Sequence, residues 1–303
     1  MSANIINQEQ NTAIYLGCAV WSYKGWLGNF YPPKTKPSEF LRLYSEKFAA
    51  VEGNTTFYAI PQPKTVAKWV EQTPAEFHFC PKFPKEVTHQ GLLQQNIATA
   101  KNFLSIMQGL GKRSGIIFAQ LPPSYSPHYF ADLQQFLATC SQMDLSLGLE
   151  VRHPEWFQEV PAKRLNQMLK ELNITRVLLD TRPIYNSPGD PQVNSSRRKP
   201  NLPLQPIFTS DLSEIRSAGR VLVRFISHPE RKYNEIYLLE WVNQVDSWVR
   251  QGKTVYFFVH CPLEERSPET AAYFQDLLQQ RGLATMKTTR NHHTVTPTQL
   301  SLF

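Results

Sequence analysis

Charged residues stand at the end of a segment that is otherwise composed like a buried β-strand. The stretch LGLEVRHPEWF, residues 147–157, ends its apolar run with Glu150 and Arg152. Side chains alternate across a strand, so the apolar residues would pack on one face while Glu150 and Arg152 share the other. An unpaired buried charge is costly, so we expect a polar pocket in which a carboxylate acts as general base and a guanidinium binds an anion.

The same pattern recurs at the ends of other strand-like runs. By strand parity these polar residues face the same side as Glu150 and Arg152: Glu52, Asn54, Lys82, Gln120, Asp180, Arg224 and His260. Among them we predict Asn54 and Gln120 to bind substrate, and the charged residues and His260 to be catalytic. The alternative is a satisfied ion-pair network that only fills the barrel mouth, because the carboxylates and cations could neutralise one another.

The spacing of the strand-like runs predicts the fold. Runs rich in β-branched and aromatic residues recur at about the length of a βα unit, at 14–19, 50–54, 77–82, 115–120, 146–152, 176–180, 220–225 and 254–260. Helix start signals lie between them, with Ser126 and Ser267 as N-caps before prolines, and Gly282 as a stop. We predict an α/β fold, a single (β/α)8 TIM barrel over residues 14–285. A doubly wound open sheet is the alternative, weakened by the lack of a Gly-rich dinucleotide fingerprint.

Three segments lie outside this regular pattern. Residues 1–13 and 286–303 are polar and without periodicity, which predicts a flexible N-terminus and a flexible tail. Residues 183–210 form a long Pro-rich loop after the sixth strand, a length typical of lids, binding loops or disordered inserts.

Composition places the chain in a broad class of proteins. With 303 residues and 41% hydrophobic content it can bury a large core. No signal-peptide pattern or membrane-length apolar run is present, and the four cysteines are widely spaced, so we expect a soluble cytoplasmic protein with free thiols. The net charge of +7 favours an anionic partner only weakly.

A divalent metal ion is a candidate cofactor. Glu52, Glu150, Asp180 and His260 have the side chains to ligate one. No H-x-H or H-E-x-x-H spacing supports this, so the metal requirement stays open.

Aromatic residues crowd the first segments of the chain. Trp21 and Tyr23, in WSYKGWLGNFYPP, are candidates for a platform on which a sugar or base stacks.

Six motifs, taken in order, resemble the YecE-like family, a (β/α)8-barrel family of unknown function. They are WSYKGWLGNFYP, VEGNTTFYAIP, FHFCPKFPKEVTH, QLPPSY, LEVRHPEW and YFFVH, within residues 14–282. The resemblance implies a polar pocket at the strand ends and no settled reaction. To the residues above it adds Phe57, Tyr58, His89 and Trp156 as implied pocket residues. The chain departs from the family at the seventh strand, with VRFISHP, and at the eighth, with FFVHCP.

The chain ends in a second motif, which suggests a protein partner. Gln299, Leu300, Leu302 and Phe303, in QLSLF, resemble the linear motif by which bacterial proteins dock on the sliding clamp. Such a pattern arises by chance in on the order of one in two thousand chains this long, so we retain it. The alternative is an apolar end that folds back on the barrel.

Three hypotheses for function follow. The first is an enzyme acting on nucleic acid or another phosphate-containing substrate, a phosphodiesterase or nuclease-like hydrolase linked to DNA metabolism by the clamp motif. Its arginines and Lys82 would neutralise phosphate, and Glu150, Glu52 or Asp180 would act as general base or metal ligand. The second is an enzyme acting on a sugar or sugar phosphate. The third is a non-catalytic binding module associated with the clamp.

Overall fold

Parallel strands with helices around them form a (β/α)8 barrel in the computed structural model, which describes residues 13–187 and 219–287. The strands are β1 (Ile14–Cys18), β2 (Ala50–Gly53), β3 (His78–Pro81), β4 (Ile117–Gln120), β5 (Leu147–Glu150), β6 (Thr175–Asp180), β7 (Arg220–Ile226) and β8 (Thr254–His260). Each overlaps one of the predicted runs, so the TIM-barrel prediction is confirmed and the open-sheet alternative is wrong. Six strands pair in the order β1-β8-β7-β6-β5-β4, and β2 pairs with β3.

Helices of very different length follow the strands. The α-helices are α1 (Phe40–Ser45), α2 (Thr55–Tyr58), α3 (Pro63–Gln72), α4 (Lys85–Thr88), α5 (Ile97–Met107), α6 (Phe130–Cys140), α7 (Glu159–Glu171), α8 (Arg182–Tyr185), α9 (Glu235–Arg250) and α10 (Ser267–Gln280). Two of them, α2 and α4, are single turns directly after β2 and β3. They carry polar and aromatic side chains over the carboxyl ends of those strands.

The helix boundaries test the predicted caps. Ser126 accepts a hydrogen bond from the backbone N–H of His128 at 3.3 Å, as an N-cap should. Ser267 is not a cap, because α10 begins at Ser267 itself and its hydroxyl is buried inside the helix start. Gly282 ends this helix region with a φ of +81°, a left-handed conformation that glycine adopts without a Cβ penalty.

The core has two layers, because the strands bury both faces. The barrel interior is filled by a small cluster that includes Tyr15, Phe118 and Tyr256. Outward-facing strand residues pack against the helices in a larger cluster that includes Trp241 and Trp248. Apolar side chains thus fill both faces of the strands at their middles. Polar side chains can therefore point inward only near the strand ends.

A side chain joins β1 to β2 where the sheet ladder is interrupted. The hydroxyl of Tyr44, on α1, accepts a hydrogen bond from the Cys18 N–H at 2.6 Å and donates one to the Ala50 carbonyl at 3.0 Å. Gly17 permits this close approach, since a Cβ there would lie 1.9 Å from the Ala50 oxygen. We call this junction the β1–β2 seam.

The predicted flanking segments are only partly covered by the structure. Within the predicted loop 183–210, the chain first forms α8, and residues 188–218 lie outside the described residues. Toward the tail, the Met286 N–H donates to the Ile14 carbonyl at 2.8 Å, which attaches the last described segment to β1. Among the helices described, none is long and apolar enough to cross a membrane.

The β1–β2 seam predicts that removing the Tyr44 hydroxyl lowers the stability of the fold considerably. Tyr44→Phe leaves the buried Cys18 N–H and Ala50 carbonyl without their partner, and each unsatisfied group costs about 1–3 kcal/mol. We expect urea unfolding to show a loss of about 2–4 kcal/mol. Tyr129→Phe, which removes a hydroxyl from a more exposed ring, should leave stability unchanged. Equal stability of the Tyr44→Phe variant and the wild type would show that the hydroxyl does not hold the seam.

Candidate functional site

A buried guanidinium occupies the centre of the barrel mouth. Arg224, on β7, contacts both oxygens of Glu52 through Nε and Nη2, each at 2.9 Å. Its Nη1 donates to Glu150 Oε2 at 2.6 Å and to Gln120 Oε1 at 3.4 Å. Arg224 therefore joins β7 to β2, β4 and β5, and both carboxylates are fully buried.

Each carboxylate has a second partner at the edge of this network. Arg152 Nε donates to Glu150 Oε1 at 2.7 Å, and His260 Nε2 lies 2.8 Å from Glu52 Oε2. Burial raises the pKa of both carboxyls, but the adjacent cations outweigh it. The pKa of Glu150 falls to about 2, and that of Glu52 falls further below its usual range. Both are firmly ionised at neutral pH.

Lys82 faces the same pocket from the end of β3. The Thr56 hydroxyl accepts a hydrogen bond from the Lys82 N–H at 3.1 Å and donates to its carbonyl, which fixes the backbone. Nζ lies 3.6 Å from the centre of the Phe57 ring. Within the described ranges the amine has no hydrogen-bond or ion-pair partner, although only 6% of the residue is exposed. Burial is the main cause that lowers the pKa of Lys82 to about 7, helped by Arg224 and opposed by Glu150 and Glu52.

His89 borders the same aromatic ring. Its ring meets Phe57 edge to face at 5.1 Å, and its Nδ1 lies 2.8 Å from the Thr88 hydroxyl. Burial is the main cause that lowers the pKa of His89 to about 4, and the charges of Lys82 and Arg152 contribute to the same shift. These interactions place the three side chains around one space and leave His89 neutral at physiological pH. Beside them Tyr58 is 82% exposed and forms the outer edge of this surface.

Asp180 does not belong to the pocket, so its predicted orientation is wrong. Val177 lies in the barrel interior, and alternation along β6 then turns Asp180 outward. There the carboxylate accepts the Trp241 indole N–H at 2.8 Å and pairs with Arg182 at 2.9 Å. The last inward-facing position of β6 is the residue before Asp180, so the prediction from strand parity was one residue off.

Several predicted contact residues serve other purposes in the structure. Trp156 is fully buried and donates its indole N–H to the Tyr125 carbonyl at 2.8 Å. Trp21 packs edge to face against Trp69 in the outer core. Both corrections follow from ring size, because a large apolar side chain gains most by full burial.

Two further predicted residues join neighbouring strand ends. The Tyr23 hydroxyl donates to Glu265, which raises the pKa of Tyr23 to about 12. Asn54 Nδ2 donates to the Ala19 carbonyl at 3.3 Å, which adds a second side-chain link across the β1–β2 seam. Thr56 is not among the residues singled out from the sequence, although a threonine soon after a strand end is typical of a side chain that bonds local backbone.

The donors in the pocket do not fit a metal ion. No cluster of three or more potential ligands occurs among the described residues. Glu52 and Glu150 already direct their oxygens at guanidinium groups, and Asp180 lies outside the barrel. The four candidate metal ligands, these three residues and His260, are therefore not brought together as a ligand set, and we derive no step through a metal.

Comparisons with known proteins agree on one family. A family model described as "Protein of unknown function DUF72" matches residues 15–294. The UPF0759 protein YecE of Escherichia coli K12 is 32% identical over 259 residues, which cover 84% of this chain and 89% of that protein. The UPF0759 protein YunF of Bacillus subtilis 168 is 30% identical over 153 residues, 48% of this chain and 52% of that protein.

Solved structures of similar proteins support the fold. A DUF72 family protein of Enterococcus faecalis V583 superposes with a TM-score of 0.67 at 20% identity, covering 91% of this chain and 98% of that one. A DUF72 family protein of Thermotoga maritima MSB8 gives a TM-score of 0.62 at 23% identity, with coverage of 88% and 99%.

The ion pairs of Glu52 and Glu150 predict that the fold becomes less stable in acid. The folded-state pKa values of Glu52 and Glu150 lie below their usual 4.5, so both stabilise the fold above that pH. We expect the unfolding free energy to fall as the pH drops from about 4.5 to about 2. Glu52→Gln should cost about 3–5 kcal/mol at pH 7, because Arg224 loses a buried partner, and should flatten this pH dependence.

Denaturant unfolding at several pH values measures both effects. Glu159→Gln, at an exposed ion pair with Lys163, is the control and should leave both quantities unchanged. A Glu52→Gln variant with the stability and acid response of the wild type would show that the network contributes nothing.

Proposed function

The chain belongs to the DUF72 family of proteins of unknown function, and from its strand-end pocket we propose that it binds and acts on a phosphate-containing substrate. One observation carries the proposal. Arg224 and Arg152 together balance the charges of Glu52 and Glu150, so the groups left for a ligand are the two terminal nitrogens of Arg152 and the amine of Lys82.

The balance of charge in the pocket supports an anionic ligand. Arg152 uses Nε on Glu150, and its two terminal nitrogens have no hydrogen-bond partner in the described part of the chain. A guanidinium edge of this kind matches the oxygens of a phosphate group. Lys82 stands beside it without a counter-ion, and a bound phosphate would supply one.

Lys82 is also the group suited to proton transfer. Catalysis by general acids and bases is most efficient when the pKa of the group lies near the working pH. The pKa of Lys82, about 7, meets this condition. The carboxylates are weak bases because their pKa values are so low. The pocket thus favours Lys82 over Glu52 and Glu150 as the acid–base residue, and we no longer propose Asp180 for this role.

Aromatic rings beside the cations favour a substrate with a flat or sugar-like portion. Tyr58 meets Phe57 edge to face at 5.3 Å, and its own ring is open to solvent. Bases and sugars stack on such rings. This arrangement is compatible with a nucleotide, a nucleic-acid strand or a sugar phosphate, and the tail motif favours the link to DNA metabolism.

Sulfate binding at different pH values tests the proposal, since sulfate keeps its charge across the range. Below pH 7 Lys82 is already charged, and above pH 7 the ligand must draw a proton onto it. We expect affinity, measured by calorimetry, to fall about tenfold or more from pH 6 to pH 9. Lys82→Arg should remove this dependence, and Arg152→Lys should weaken binding at every pH.

The variants distinguish the titration of Lys82 from that of the neighbouring histidines. His89 stays neutral throughout the range, and any titration of His260 would persist in Lys82→Arg. Lys85→Arg, at an exposed lysine three residues along the chain, is the matched control and should behave like the wild type. Sulfate binding that is absent, or indifferent to Arg152→Lys, would contradict the proposed function.

The clamp motif gives a separate prediction about a partner. Residues 299–303 lie outside the described residues, and the proposal rests on their sequence. Leu302 and Phe303 should carry most of the binding energy, about 1.5–3 kcal/mol each before ordering costs. A peptide ending in QLSLF should compete with the full chain for a bacterial sliding clamp.

The double substitution Leu302→Ala with Phe303→Ala should abolish clamp binding in a pull-down or calorimetric assay. Thermal stability should stay within about 0.5 kcal/mol of the wild type. A large loss of stability would mean that these residues pack on the barrel, and the clamp proposal would then lose its support.

A further inference from the structure

We propose that Lys82 forms a covalent imine with the aldehyde carbon of a phosphorylated sugar. The inference rests on the proposed function, since Arg152 would hold the phosphate while Lys82 reacts. It adds a reaction type and a substrate class that phosphate binding alone does not specify.

The placement of the amine favours nucleophilic chemistry over ion pairing. Lysine rarely becomes buried without a carboxylate partner, yet no ion pair is formed by Nζ in the residues described. The carboxylates that could have paired with it are instead held by Arg224 and Arg152. A buried, unpaired amine next to other cations is the environment that activates a lysine as a nucleophile.

The other buried lysine of the described ranges provides a contrast. Lys253 precedes β8, so it lies at the opposite, amino-terminal end of the barrel strands. Lys82 lies at the carboxyl ends, where (β/α)8-barrel enzymes build their active sites. Lys85, close by in sequence, is exposed. Position and burial together single out Lys82.

The reaction balances without an oxidant or reductant. The Lys82 ammonium first releases one proton, and the neutral amine attacks the carbonyl carbon with its lone pair while one proton passes from nitrogen to oxygen to give a carbinolamine. The carbinolamine hydroxyl takes back the proton first released and leaves as water, so one aldehyde and one ammonium yield one iminium and one water. His89, neutral and on the edge of Phe57, is the residue we assign to moving the proton between nitrogen and oxygen.

The phosphate of the substrate would offset the charge of this product. The iminium carries one positive charge where the Lys82 ammonium stood; burial and Arg224 disfavour that charge, and Glu150 and Glu52 compensate only in part. Arg152 contacts Glu150 through Nε, which leaves its terminal nitrogens available for the phosphate. Two kinds of substrate carry an aldehyde next to a phosphate group. One is an open-chain sugar phosphate, and the other is an abasic site in a nucleic-acid strand.

Reductive trapping tests the inference on the full chain. The protein is incubated with sodium cyanoborohydride, which reduces an imine to a stable secondary amine, and with one of two probes. The probes are glyceraldehyde 3-phosphate and an oligonucleotide that contains one abasic site. We expect peptide mass spectrometry to map a single main adduct to Lys82 with at least one probe, and whichever probe reacts identifies the source.

Two controls establish specificity. Unphosphorylated glyceraldehyde should give at least tenfold less adduct at Lys82, and the exposed Lys85 should gain no more than other surface lysines. Lys82→Arg should lose the adduct while it retains sulfate binding, which also shows that the variant is folded. Should that variant unfold, the adduct map of the wild type decides alone.

The outcomes distinguish the two proposals. A protein that binds sulfate but gives no adduct at Lys82 with either probe overturns the imine inference and leaves the proposed function standing. Equal trapping of the phosphorylated and unphosphorylated sugars overturns the assigned substrate class. A protein that fails to bind sulfate contradicts the proposed function itself.

Discussion

One buried guanidinium connects the strands that line the barrel mouth. Arg224 lies on β7, whose neighbours in the sheet are β6 and β8. Its hydrogen bonds nevertheless reach Glu52 on β2, Gln120 on β4 and Glu150 on β5, so the guanidinium crosses the barrel interior. Such a group is tolerable in a dry interior only while its partners are all present. The orientation of each strand end is thereby tied to the others.

This network also decides which groups remain for chemistry. Because Arg224 and Arg152 hold the carboxylates, neither Glu52 nor Glu150 is available as a metal ligand, and both have pKa values too low for a strong base. The hypothesis of a satisfied ion-pair network therefore describes part of the mouth correctly. It does not account for Lys82, which is buried in the same space and excluded from the pairing. In the proposed function, structural and reactive roles are thus divided between neighbouring residues.

Sequence patterns predicted the fold and most of the pocket, for a physical reason. Strand alternation is local, so the parity of a run such as LGLEVR reveals which side chains face inward together. The method failed at Asp180, since nothing local shows which of the last two residues of β6 faces inward. Trp21, proposed from the cluster of aromatic residues, and Trp156, implied by the family resemblance, lie in the core instead, because an aromatic ring near a strand end is equally compatible with a pocket and with the core.

Contacts that depend on tertiary structure were beyond such patterns. Tyr44 is a helix residue like any other in the sequence, and its role at the β1–β2 seam depends on how close α1 lies to two strands. The lowered pKa of Lys82 likewise depends on its burial and on the charge of Arg224, both of which arise from segments distant in sequence. Propensity and periodicity describe neighbours along the chain, whereas these properties arise from neighbours in space.

The seam has a further consequence for the dynamics of the pocket. Glu52 and Lys82 belong to the two-stranded unit β2–β3, while Arg224, Arg152 and His260 belong to the six-stranded sheet or follow from it. Across the seam, hydrogen bonds of Tyr44 and Asn54 stand where a continuous ladder would otherwise run. Local opening there would change the distance between Lys82 and Arg152, so ligand affinity and amide exchange at the seam should be linked quantities. If an anion binds between Lys82 and Arg152 as proposed, exchange of the Cys18 amide should slow although the anion does not contact that residue.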